Sequence, residues 1–172
     1  QTFLNTNGDI KSVLCVILFD GLALAQPKYK RPANFVTSAL RLTNAGTDAA
    51  ALHDYLLSMG QPYFNWPTPD GYPDHSEPWQ NNLMPRWQFA FELIRNEIKG
   101  TKNNVNTLLD VSSTDGLHDD VDALTSLFLG APFERITRDK LIDSVRSAGA
   151  TDEEILQVVA AGIIASPAFQ WR

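Results

Sequence analysis

Four side chains able to do acid–base or metal chemistry fall within eight residues: Asp70, Asp74, His75 and Glu77. Carboxylates beside an imidazole can bind a divalent cation or share a proton-transfer task. Asp70, Asp74 and His75 are therefore the candidate catalytic residues. Their spacing fits no defined metal motif, neither an EF-hand nor His-Glu-x-x-His, and no metal or other cofactor is assigned. An Asp in Pro69-Asp70-Gly71 also serves the turn itself. Whether the chain is an enzyme stays open at this level.

The same stretch carries aromatic rings. Trp66, Tyr72 and Trp79 offer a stacking surface for sugar rings or a proline-rich peptide, since aromatics give large, rigid contact area at low entropic cost. Such a surface needs the rings exposed and roughly coplanar. The preferred alternative is that they pin a long loop onto the helices. Arg86, just after the loop, is expected to reach back to Asp70 or Asp74 as a bidentate anchor.

Other chemistry is sparse. His53, His75 and His118 lie far apart, and His118 stands beside Asp119, Asp120 and Asp122. No Gly-x-Ser-x-Gly elbow, Gly-x-Gly-x-x-Gly turn or Walker loop occurs. Cys15 is the only cysteine, so no internal disulfide can form, and its apolar surroundings suggest a buried, inert thiol.

These residues must be positioned by helices. The first is expected over about 6–24, with Thr6 and Asp9 as a capping box and an unbroken apolar run from Val13 to Phe19. Its all-round hydrophobicity implies burial on most faces. Pro32 suits the first turn of a second helix, with Phe35, Val36, Ala39 and Leu40 facing inward. Thr47 would cap a third, with Leu52, Tyr55, Leu56 and Met59 on one side and Gly60 ending it. Residues 60–82 break the pattern and hold five of the ten prolines. A loop this long in a compact domain is functional unless its own side chains pack it down. A fourth helix runs from about Leu83 to Ile98 with a stripe of Trp87, Phe91, Ile94 and Ile98. Residues 99–116 are polar, with one turn of helix expected at 105–109. Helices at about 118–129, 137–148 and 151–165 close the chain, the last with a Thr151–Glu154 capping box. Aligned at an offset of 145, the first and last helices share their cap and apolar positions. Two buried helices obeying the same rules explain that echo more economically than a duplication.

The fold expected is all-α: an irregular multi-helix bundle around helices one and four, with one long Pro/aromatic-rich loop. It is read as one domain over 1–172, with a possible division into 1–98 and a three-helix tail at 118–172. The 172 residues suit one domain, and 44% hydrophobic residues suffice for a core. The net charge is −6, with −1 over residues 1–86 and −5 over 87–172. Without a basic stripe, nucleic acid is excluded as a partner held by general electrostatics. No apolar run reaches the length of a membrane span.

Several strings together resemble a known family. They are Lys28-Tyr29-Lys30-Arg31-Pro32, Phe35-Val36, Ala39-Leu40-Arg41, Gly60-Gln61-Pro62 and 67–74 (Pro-Thr-Pro-Asp-Gly-Tyr-Pro-Asp). Trp79, Arg86-Trp87 and the closing 165–170 (Ala-Ser-Pro-Ala-Phe-Gln) complete them. In this order they resemble the carboxy-terminal part of the bacterial "domain of unknown function 1800" family. The resemblance spans nearly the whole chain. One departure is Asp20 to Leu24, where the family carries a Ser-Pro-x-Phe ending. The resemblance implies a predominantly helical, exported bacterial protein, hence an extracytoplasmic location, often encoded beside a sulfatase-like family. It also implies a missing amino-terminal part, consistent with a chain that opens on Gln1. No activity comes with it. The expected function is a non-catalytic interaction or scaffold module whose partner is protein or polysaccharide. The alternatives are a carbohydrate- or peptide-binding module using the loop aromatics, and a hydrolase-like site completed by the missing part.

Overall fold

The computed structural model describes residues 1–105 and 116–171. The chain is mostly helical. Short α1 (Thr2–Asn5) leads to α2 (Ile10–Ala23), then α3 (Pro32–Leu42), α4 (Leu52–Ser58), one-turn α5 (Glu77–Gln80) and α6 (Leu83–Ile94). After the undescribed residues come α7 (Leu117–Leu129), α8 (Arg135–Ser147), α9 (Asp152–Ala165) and a 3₁₀ turn at Ala168–Gln170. Most of the helical turn expected at 105–109 lies outside the described residues.

Helix α9 is the centre. It packs against α6, α7 and α8. Its start follows directly from sequence: the Thr151 hydroxyl accepts from Glu154 N–H while the Glu154 carboxylate accepts from Thr151 N–H, satisfying two end donors at once. One core runs from Phe35, Val36 and Ala39 of α3 through Phe89, Ala90 and Leu93 of α6 to Val121, Leu124, Ile155, Ile164 and Phe169. The closing helices therefore share the core of the first portion. Phe35 meets Phe89 and Phe169 edge-on, at ring separations of 6.0 and 5.8 Å.

The polar stretch after α6 contains an element the sequence did not announce. Gly46–Thr47 (β1) pairs antiparallel with Thr101–Lys102 (β2), so Thr47 serves a two-residue ladder and α4 starts later, at Leu52. Gly100 permits the join: at φ +71° a Cβ would sit 2.3 Å from the Asp48 carboxylate. Asn103 then closes the end of α6, donating to the carbonyls of Leu93 (2.7 Å) and Ile94 (2.8 Å).

Two further expectations fail. The buried face of α6 is Arg86, Phe89, Ala90, Leu93 and Ile94, whereas Trp87 is 42% exposed. Of the expected stripe, Ile94 and Ile98 are buried and Phe91 is half-buried, while Arg86 takes the inward place given to Trp87. The burial of Arg86 rests on hydrogen bonds that hydropathy does not see. The larger correction concerns the first helix. Asp9 is its cap, accepting from Ser12 N–H, while the Thr6 hydroxyl bonds Thr2 C=O inside α1. No residue of α2 is buried, and its principal neighbour is α1. Cys15 is exposed as well. The bundle is built around α9 and α6, with α2 outside it.

Candidate functional site

The proline-aromatic loop is held by its own side chains and by basic residues ahead of α3. Asp70 accepts from Trp66 Nε1 (3.1 Å) and from the Thr68 hydroxyl. These bonds lower its pKa, the Thr68 contact most. Asp74 pairs with Lys28 and lies 3.8 Å from Arg31. His75 is exposed. The three candidate catalytic groups thus serve different partners. Among the described residues, no group of three His, Cys, Asp or Glu could hold a metal ion.

The rings form a cluster and not a common plane. Trp66 meets Tyr72 at 4.7 Å with a tilt of 49°, and Tyr72 meets Trp79 at 6.0 Å with a tilt of 52°. Trp79 is 4% exposed and donates to Pro73 C=O, while Tyr72 donates to Pro62 C=O. Trp79 is the buried member of the cluster. This arrangement serves packing directly, whereas a sugar-stacking strip needs flat, open faces.

Arg86 does not reach the loop. It is 1% exposed and donates to Gln170 Oε1 (2.7 Å) and Lys30 C=O (2.8 Å). Its guanidinium carbon lies 4.9 Å from the Tyr29 ring centre and 5.0 Å from that of Phe35. Burial lowers its pKa. Arginine remains cationic all the same. No described carboxylate forms an ion pair with it; two hydrogen bonds and two ring faces offset part of its desolvation, and its buried Nε has no hydrogen-bond partner. Around it, Lys30 N–H donates to Gln170 C=O (2.7 Å), the Lys30 ammonium sits 3.6 Å from the Phe169 ring centre, and Tyr29 bridges Trp171. Gln61 adds a second tie, accepting from Ala33 N–H at 2.8 Å. Strings 28–32, 60–62, 86–87 and 165–170 therefore meet as clamps that join the start of α3 to α6 and the chain's end. His118 pairs not with its neighbouring aspartates but with Asp139 of α8, at 3.6 Å.

The accessible features lie elsewhere. On α2, Ile10 (71% exposed), Leu14, Val16, Ile17, Leu18, Phe19 (73%) and Leu22 all face outward. At 100° per residue these positions surround the helix. The signal was present in the unbroken apolar run and was read as core. On the opposite theme, two clefts of about 490 and 320 Å³ lie over α9, both lined by Phe91 and Val158.

The fold and its side chains thus define an all-α protein whose polar motif residues serve as clamps. Residues 1–171 match the family described as "Protein of unknown function (DUF1800)", and the chain belongs to that family. No curated protein and no solved structure matches it. No described helix is long and apolar enough to cross a membrane.

Proposed function

We propose that this chain is a non-catalytic interaction module of an exported protein and that α2 is its docking helix. The observation carrying this reading is an apolar helix left uncovered on every face. Seven outward apolar side chains on one helix form a contiguous apolar surface, unlike the singly scattered apolar residues of an ordinary monomer surface. Burying a single Leu, Ile or Phe is worth about 1.5–3 kcal/mol, so α2 holds a large unused driving force for association.

The chemistry of the helix selects the partner. An interfacial lipid-binding helix needs a polar, basic face opposite its apolar one. On α2, Lys11 is the only basic residue and apolar side chains surround the axis. Its 14 residues are also fewer than the roughly 20 a membrane span requires. Polysaccharide offers hydroxyls that Leu, Ile and Phe cannot satisfy. A groove between protein helices fits, because it encloses most of the circumference of an inserted helix. Export rests on the family resemblance.

The test is Leu14→Glu with Leu18→Glu. At a dilution where the chain is monomeric, both leave the denaturant midpoint unchanged within about 0.5 kcal/mol, as surface substitutions do. A loss of about 2–5 kcal/mol, the cost of spoiling a packed leucine, would contradict the proposal.

A further inference from the structure

We infer that the groove receiving α2 is on a second copy of this chain, over the exposed face of α9; the inference rests on the docking role proposed for α2. The two clefts adjoin along α9, sharing Phe91 and Val158 in their linings. Their combined floor is Glu154, Gln157, Val158, Ala161, Gly162 and Ser166. These positions recur at three- and four-residue steps, so they form one stripe along α9. Phe91 and Ile94 of α6 form one wall, and Leu141 and Val145 of α8 form the other.

Length, shape and charge agree with α2 as the occupant. From Glu154 to Ser166 the floor runs about 18 Å, and the 14 residues of α2 run about 21 Å. Ala161 and Gly162 leave room for close helix approach, and a Cβ at Gly162 would meet nothing within 4 Å. On α2, Lys11, Leu14, Cys15, Leu18 and Leu22 share one face, while Asp20 points the opposite way. With α2 parallel to α9, Lys11 falls at the end of the groove lined by Glu97, Glu154 and Arg95, where the two carboxylates outnumber the guanidinium. Leu14, Leu18 and Leu22 then lie along the apolar part, and Asp20 stays in solvent. Residues 24–28, which carry no regular structure, can span up to about 17 Å between α2 and Tyr29. Reciprocal exchange of two such arms closes a two-fold dimer.

The experiment is sedimentation of the whole chain over a concentration series, with cross-linking. The wild type is expected to dimerise. Gly162→Leu fills the open floor and is expected to raise the dissociation constant at least tenfold with no loss of thermal midpoint. Val158→Cys is expected to give an oxidised dimer through Cys15 of the other copy, and adding Cys15→Ser removes it. A wild type that stays monomeric at about 100 μM, roughly 5.5 kcal/mol of association at most, overturns the inference. So does a dimer indifferent to Gly162→Leu, or one that cross-links through Cys15 alone. Protection of α2 only when polypeptide is added ahead of Gln1 would overturn it too. Each of these outcomes leaves the stability test of Leu14 and Leu18 to decide the docking role itself.

Discussion

Arg86 is used by the fold, and its surroundings determine what its loss costs. Arg86→Ala removes two charge-assisted hydrogen bonds and two ring contacts, and leaves Gln170 Oε1 and the Lys30 carbonyl facing a cavity. We expect a loss of about 3 kcal/mol in denaturant unfolding. Protease resistance of residues 60–82 should instead follow Asp74, whose partners Lys28 and Arg31 tie the loop to the body. Asp74→Asn is expected to expose the loop to limited proteolysis with the helical signal unchanged. Equal loop protection in both proteins would contradict that assignment. Glu154 carries a pH dependence of definite sign. Its bonds to Thr151 hold the folded carboxyl below its ordinary pKa. It therefore stabilises the fold above the unfolded-state pKa, and this is lost as pH falls through the lower folded value. Glu154→Gln is expected to flatten the acid limb of the stability curve, and an unchanged limb would count against the cap. Of these residues, only the Thr151–Glu154 box was fully legible in the sequence, because its partners are three residues apart. Arg86 with Gln170, and His118 with Asp139, join positions that local spacing does not connect.

At the scale of elements, periodicity located α3, α7 and α8 closely, the capping box located α9, and α6 begins where expected but ends at Ile94, four residues early. Two failures are informative. The β1–β2 ladder is two residues long on each side and has no period to detect. Helix α2 was correctly placed but wrongly packed: apolarity on every face says that a helix must be covered, but not which surface covers it. Helix α9, nearly all apolar after its acidic first turn, packs against α6, α7 and α8 and leaves one face open. The echo between the two is one of solvation demand, met inside the fold for α9 and unmet for α2. In the dilute monomer, Leu14→Glu and Leu18→Glu should accordingly be silent in stability, whereas Ile155→Ala in α9, fully buried, should cost about 2–5 kcal/mol.

For the whole molecule, the clamps explain how segments distant in sequence hold one core. Lys30, Arg86 and Gln170 join the segment before α3, the first turns of α6 and the end of the described chain, and Phe35, Phe89 and Phe169 pack beneath them. That arrangement leaves the polar motif residues engaged in structure and places the accessible apolar surface on α2 and over α9. Amide hydrogen exchange tests the central claim most directly. At the lowest usable concentration, amides of residues 10–23 should exchange orders of magnitude faster than those of 152–165, and their protection should rise with protein concentration. Protection of α2 equal to that of α9 at that same dilution would contradict the account.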